Sequence, residues 1–358
     1  MTTATTTPTI RKAAPMRDIY SRLKTLGIQK KWLVSHVLPE WWDDELARTP
    51  ASRSEIEIYL ARNLGLELAA LRDPNAPLHF AAAPRARFKR HNNASDERMK
   101  LVRAIGSRLG NLAASAYRQT QSTTATNRRN LSTLSSQDIR QAILSKDEDW
   151  VGLDNLLEFC FAHGVAVAHA TLPDGYKNLC DGMALCPHGR PVILSFNGHR
   201  SPAWQAFVVA HELGHHVLGH IGVGGEILDE KLDRNDTDEE ESAANRFAFE
   251  VLTGASEDGM RFIYNVQWPK AEKLANEVEE FGRSHKVHPG VILLNLCHND
   301  DKMRPLAMKA LKEFEKADRD AFEMFSEASL RLDRSEWSDD EAEFFLRLVT
   351  FPNAALAN

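Results

Sequence analysis

The chain has 358 residues, a formal net charge of −6, 26% charged and 43% hydrophobic residues. This is the balance of a soluble globular protein of two or three domains, and it excludes a nucleic-acid-binding polycation. No apolar run reaches a membrane span and the N-terminus lacks an apolar signal segment, so no membrane partner and a cytoplasmic location are expected.

Residues 1–15 are rich in Thr, Pro and Ala and read as a disordered tail. Residues 16–75 read as a small helical bundle: Ile19, Leu23 and Leu26 recur at helical spacing, as do Ile56, Leu60 and Leu64, with breaks at Gly27, Pro39 and Thr49-Pro50. Residues 76–134 read as a basic linker with a helix near 95–118 and a polar connector at 119–130. Its basic residues include Arg85, Arg87, Lys89, Arg90, Arg98, Lys100, Arg103, Arg108, Arg118, Arg128 and Arg129. A further domain spans 135–300. It is expected to hold a helix over 147–163, a short strand at 164–167, a strand at 191–196 (PVILSF), a turn at Asn197-Gly198, a helix over 202–219 and another over 238–252. Beyond Lys270 the pattern is helical, with a stop at His288-Pro289-Gly290, and 301–358 form a C-terminal helical region. Cys160, Cys180, Cys186 and Cys297 form no CxxC pair, which argues against a cysteine zinc knuckle; they read as free thiols, mostly buried.

The informative string is HELGHH at 211–216. His211 and His215 are four apart, so on a helix they share a face and can hold one Zn²⁺, with Glu212 beside them as general base. A bare HExxH arises by chance in such a chain at a rate on the order of a few percent; the plain alternative is a pair of satisfied core histidines. The apolar WQAFVVA before it places the motif inside a partly buried helix. Zinc needs a third protein ligand and an open position for water. A third histidine ten residues after the first is absent, since position 221 is Ile. His220 lies about 180° round the helix from His211 and swings in only if Gly219 breaks the helix. The string EEESAANRFA offers Glu241 as the ligand, with Asn245 on the same face to hydrogen-bond a ligand histidine, while Glu239 and Glu240 face elsewhere. Candidates for stabilising an oxyanion are His216, His220, Tyr264, His285 and His288, and the sequence does not choose among them. The strand at 191–196 is a candidate edge on which a peptide substrate docks by strand addition.

These residues resemble the ImmA/IrrE family of zinc metallopeptidases. The match lies in GRPVILSF (189–196), AFVVAHELGHHVLGH (206–220), ESAANRFAFEVL (241–252) and KVHPGVILLNLCHND (286–300), four strings in order over roughly residues 140–300. The resemblance implies an α+β, mostly helical fold, with a gluzincin-like core and a small twisted sheet beside the HExxH helix. It implies one Zn²⁺ per chain on His211, His215 and Glu241, with Glu212 as base. Members of the family cleave a helix-turn-helix repressor of the XRE type and so derepress stress, mobile-element or defence genes. Ala243 departs from the Glu or Gln frequent there in the family.

The N-terminal bundle resembles a degenerate XRE-type helix-turn-helix in IYSRLKTLGIQKKWLVSHVL and SEIEIYLARNLGLELAALRD. Between them, where a recognition helix belongs, Asp43, Asp44 and Glu45 would repel phosphates, and Trp41 and Trp42 read bases poorly. The expectation is a fold kept and DNA reading lost; a plain helical docking domain, for the repressor or for a second copy of the chain in a homodimer, accounts for the bundle equally. The basic stretch 85–129 is either a solvated linker or a contact to DNA backbone. Two functions remain: a site-specific zinc endopeptidase, and a DNA-binding regulator or antitoxin-like protein whose metal site is structural or vestigial. An intact Glu212 favours the enzyme.

Overall fold

A computed structural model of the chain describes residues 16–81, 87–88, 96–116, 131–176, 178–196, 200–229, 238–255, 270–316 and 319–350. The proposed tail, the connector at 119–130, the turn at Asn197-Gly198 and Tyr264 lie outside them.

Helices α1 (Met16–Thr25), α2 (Lys30–His36), α3 (Pro50–Leu64) and α4 (Leu68–Arg72) form the N-terminal bundle. Thr49 caps α3 by accepting the Ser52 N–H, and Pro50 stands in its first turn. Between α2 and α3, where the resemblance to a helix-turn-helix leads one to expect a recognition helix, the chain makes only a short 3-10 helix, Asp44–Arg48. The Asp44 carboxylate is engaged there: it accepts from Tyr20 Oη and Lys30 Nζ, each at 2.5 Å.

Helix α5 (Asp96–Ala116) crosses one face of a mixed five-stranded sheet. The strands are β1 (Arg87–Phe88), β2 (Ala166–His169), β3 (Gly182–Leu185), β4 (Val192–Ser195) and β5 (Glu226–Asp229), in the order β1-β5-β3-β4-β2. β3 runs antiparallel to both neighbours, pairing Gly182 with Ser195 on β4 and with Asp229 on β5; β4 pairs with β2 in parallel. The strand at 191–196 is therefore not an edge. Both its sides are hydrogen-bonded, so it has no free backbone groups to offer an extended peptide.

Strand alternation divides the core. Ala166, Ala168, Met183, Leu185, Val192 and Leu194 join the apolar residues of α1–α5 and of α14 (Asp339–Val349) in one continuous cluster. Val167 and Ile193 on the opposite face join a second cluster. It is built from α6 (Ser136–Leu144), α7 (Leu153–Ala162), α8 (Pro202–Val217), α9 (Glu239–Thr253), α10 (Ala271–His285), α11 (Pro289–Asn299), α12 (Arg304–Glu315) and α13 (Ala321–Leu330). The fold is mostly helical with a small sheet, as expected. The helix expected from Asp147 starts only at Leu153, because Asp147 has a left-handed φ of 65° and Gly152 holds extended backbone before the first turn. Among the described residues no helix is long and apolar enough to cross a membrane.

Candidate metal centre

Helix α8 starts where Ser201 accepts the Trp204 N–H and Pro202 fixes the first turn. It lies under β3 and β4, held by a hydrogen bond from Ser195 Oγ to Gln205 Oε1, 2.6 Å, between two fully buried side chains. Helix α9 starts on Asp238, whose carboxylate accepts the N–H groups of Glu240 and Glu241. The two helices approach closely because Gly214, the G of HELGHH, has no side chain: a Cβ there would lie 3.0 Å from Phe247 Cδ1 and 3.4 Å from Ala244 Cα.

That approach brings His211, His215 and Glu241 together, all buried, with ligand atoms within 4.8 Å of one another. His211 Nε2 is 3.1 Å from His215 Nε2 and 3.2 Å from Glu241 Oε2, and His215 Nε2 is 3.6 Å from Glu241 Oε1. A tetrahedral zinc with bonds of 2.0–2.1 Å separates its ligand atoms by roughly 3.3 Å. The three donors already stand at the corners such an ion requires, and two imidazoles with one carboxylate are a borderline donor set suited to it. Burial by itself would raise the Glu241 carboxyl pKa, but hydrogen bonds and charge from His211 and His215 outweigh it and hold the carboxyl well below its ordinary range. An ionised carboxylate is what a zinc ligand of this type requires. Of the neighbours of Glu241 in the sequence, Glu239 is exposed and Glu240 half-buried.

Asn245 stands one turn beyond Glu241, and its Oδ1 is 3.0 Å from His211 Nδ1. Only a protonated Nδ1 can bond a carbonyl oxygen, so Asn245 selects the tautomer that leaves Nε2 free for a metal. Glu212 is fully buried beside the cluster. Gly182 of β3 lies against it: a Cβ on residue 182 would come within 2.8 Å of Glu212 Cδ.

The histidines considered for an oxyanion have other partners. His216 lies 3.2 Å through Nε2 from the Val192 carbonyl, which ties α8 to β4, and burial pulls its pKa down to about 4. His220 contacts His215, 2.8 Å between Nδ1 atoms. His285 is exposed on α10, stacked on Phe281. His288 caps α11 by accepting the Gly290 N–H at Nδ1 and packs against Trp150 and Phe314. It lines a cavity of about 510 Å³ with Trp150, Asp154, Glu279, Arg283 and Phe314. Tyr264 lies outside the described residues.

Two arginines of the basic stretch, Arg103 and Arg108, turn inward, while Arg98 stays exposed. Arg103 pairs with Glu226 of β5, Arg108 with Glu341 of α14 at 2.7 Å, and Arg98 bonds the Gly175 carbonyl and lies over the Tyr176 ring. Sequence reading missed Gly182, since the four-residue β3 shows no periodicity. The condition set for His220, a helix broken at Gly219, is met: α8 ends at Val217 and Gly219 takes a left-handed φ of 75°.

Residues 162–298 match the family model Peptidase_M78, the IrrE N-terminal-like domain. The matched segment runs from β2 through nearly all of α11 and contains every residue of the cluster. No curated protein and no solved structure matches the chain.

Proposed function

We propose that this chain, whose residues 162–298 carry an IrrE N-terminal-like metallopeptidase domain, is a zinc-dependent endopeptidase. Its substrate is a regulatory protein, an XRE-type transcriptional repressor, whose cleavage derepresses stress, mobile-element or defence genes. The observation that carries the reading is the buried set of His211, His215 and Glu241 with Glu212 on the same helix. Zinc held there supplies Lewis acidity, polarising the scissile carbonyl and lowering the pKa of water. Glu212 then takes a proton from the attacking water and delivers it to the leaving amine. Asn245 keeps His211 oriented through Nδ1, and Glu241 neutralises one of the two positive charges.

The substrate class rests on the resemblance of the four strings and on a surface able to receive a protein. The N-terminal bundle exposes Val34, Trp41, Leu46 and Ile58, each at 40–49% of its area. The test takes a small XRE-type repressor, sought first among the genes beside this one, and incubates it with wild type and with Glu212→Gln. The expected result is cleavage by wild type and a rate lower by about 10²–10⁴-fold in the variant, with zinc retained. A variant that cuts as fast as wild type refutes the mechanism.

A further inference from the structure

We propose that His220 is a positioning residue of the metal centre: it accepts the Nδ1–H of His215 and so holds that ring with Nε2 toward His211 and Glu241. The proposal rests on the metal reading above and adds a residue outside the ligand set.

The C-terminus of α8 explains how His220 arrives. Continued as a helix, residue 220 would point about 180° away from His211. The helix instead ends at Val217, and Gly219 takes a left-handed φ of 75°. The His220 N–H bonds the His215 carbonyl at 3.0 Å and the Gly219 N–H bonds the His216 carbonyl at 3.4 Å. This is the paired pattern of a Schellman ending, which sets the side chain after the glycine beside the side chain five residues earlier. Usually both are apolar; here both are histidines. A Cβ on Gly219 would meet nothing within 4 Å, so the glycine is required by its φ and not by space.

The contact is directional. The two Nδ1 atoms are 2.8 Å apart, and the rings meet edge-on, 64° between planes, rather than stacking. One nitrogen must donate and the other accept. His215 directs Nε2 at His211 and Glu241, so as a ligand it carries its proton on Nδ1. His220 then accepts at Nδ1 and keeps its own proton on Nε2. The arrangement parallels Asn245 at His211 Nδ1, 3.0 Å away. Both imidazoles of the site are thus oriented from behind, one by an amide oxygen on α9 and one by a ring nitrogen after α8. Among the described residues His220 is not part of the three-residue ligand cluster.

The test compares zinc affinity of the full chain, by competition with a chromophoric chelator, for wild type, His220→Asn and His220→Leu. Asn and Leu are alike in size and shape, and only Asn places an acceptor oxygen where Nδ1 stood. The expected result is a 10–100-fold loss of affinity in the Leu variant, the usual effect of removing such a partner. The Asn variant should stay close to wild type. Thermal unfolding of the chelated proteins should coincide, since the effect lies in the site. Wild-type affinity in His220→Leu overturns the proposal, as does a His220→Asn as weak as His220→Leu. A wild-type chain that takes up no zinc overturns the metal reading itself, and this proposal with it.

Discussion

Glu212 owes its room to Gly182. Any side chain at that position would collide with the carboxylate, since even a Cβ would sit 2.8 Å from Glu212 Cδ. Gly182→Ala should leave the three ligands in place and push Glu212 off its position. Zinc content should be unchanged while cleavage of a protein substrate slows by about 10²-fold, the effect expected of a misplacement near 1 Å. Full activity in Gly182→Ala would show that Glu212 tolerates the shift or is not the base. His211, Glu212 and His215 are legible from spacing alone, because helical periodicity fixes which side chains share a face. Gly182 is not: it is one of 19 glycines, and its importance arises from a strand paired through tertiary contacts. His220 lies between these cases. Whether it joins the site turns on one φ angle at Gly219, which a glycine permits without requiring.

At the scale of elements, the site depends on how closely α8 and α9 pack. Gly214→Val would force its branched side chain against Phe247 and Ala244. Overpacking of that kind costs about 1–3 kcal/mol, and here it also moves Glu241 away from the histidines. Urea unfolding should show the lost stability and chelator competition a weaker zinc site; an unchanged zinc affinity would mean that the helix spacing is not limiting. His288 makes α11 sensitive to acid. Burial pulls its pKa from 6.5 to about 4, and its neutral Nδ1 accepts the Gly290 N–H. The unfolded chain therefore binds this proton more readily than the folded one. The stabilisation is complete above pH 6.5 and is lost as pH falls toward 4, by roughly 3 kcal/mol in all. His288→Asn keeps a capping acceptor without the titration, so its stability should fall less than that of wild type between pH 6.5 and 4.5; parallel curves would contradict the assignment. Elements α8, α9 and β4 are legible because caps and apolar patterns mark them. GMAL and EILD, which become β3 and β5, are too short to show a period, and only the pairing of one with the other makes them strands.

Across the whole molecule, the N-terminal bundle is built into the rest of the fold. One apolar cluster runs from α1 through α5 and a sheet face to α14. Arg347 of α14 donates to the Val34 and Leu38 carbonyls at 2.9 and 2.8 Å, Trp41 Nε1 bonds Asp340 at 3.2 Å, and Arg108 bridges Asn63 and Glu341. Calorimetry should therefore show α1–α4 and the sheet unfolding in one transition; a separate transition for the bundle would contradict a shared core. Composition could not foresee this, because a run of arginines reads alike whether it faces solvent or, as Arg103 and Arg108 do, half-buried carboxylates. The claim to which every other is tied is the metal centre, and metal analysis of the purified chain tests it most directly. Wild type and Glu212→Gln should each carry about one zinc per chain, while His215→Ala and Glu241→Gln should lose it. A wild-type chain free of zinc, or a His215→Ala variant that retains as much as wild type, would contradict the account.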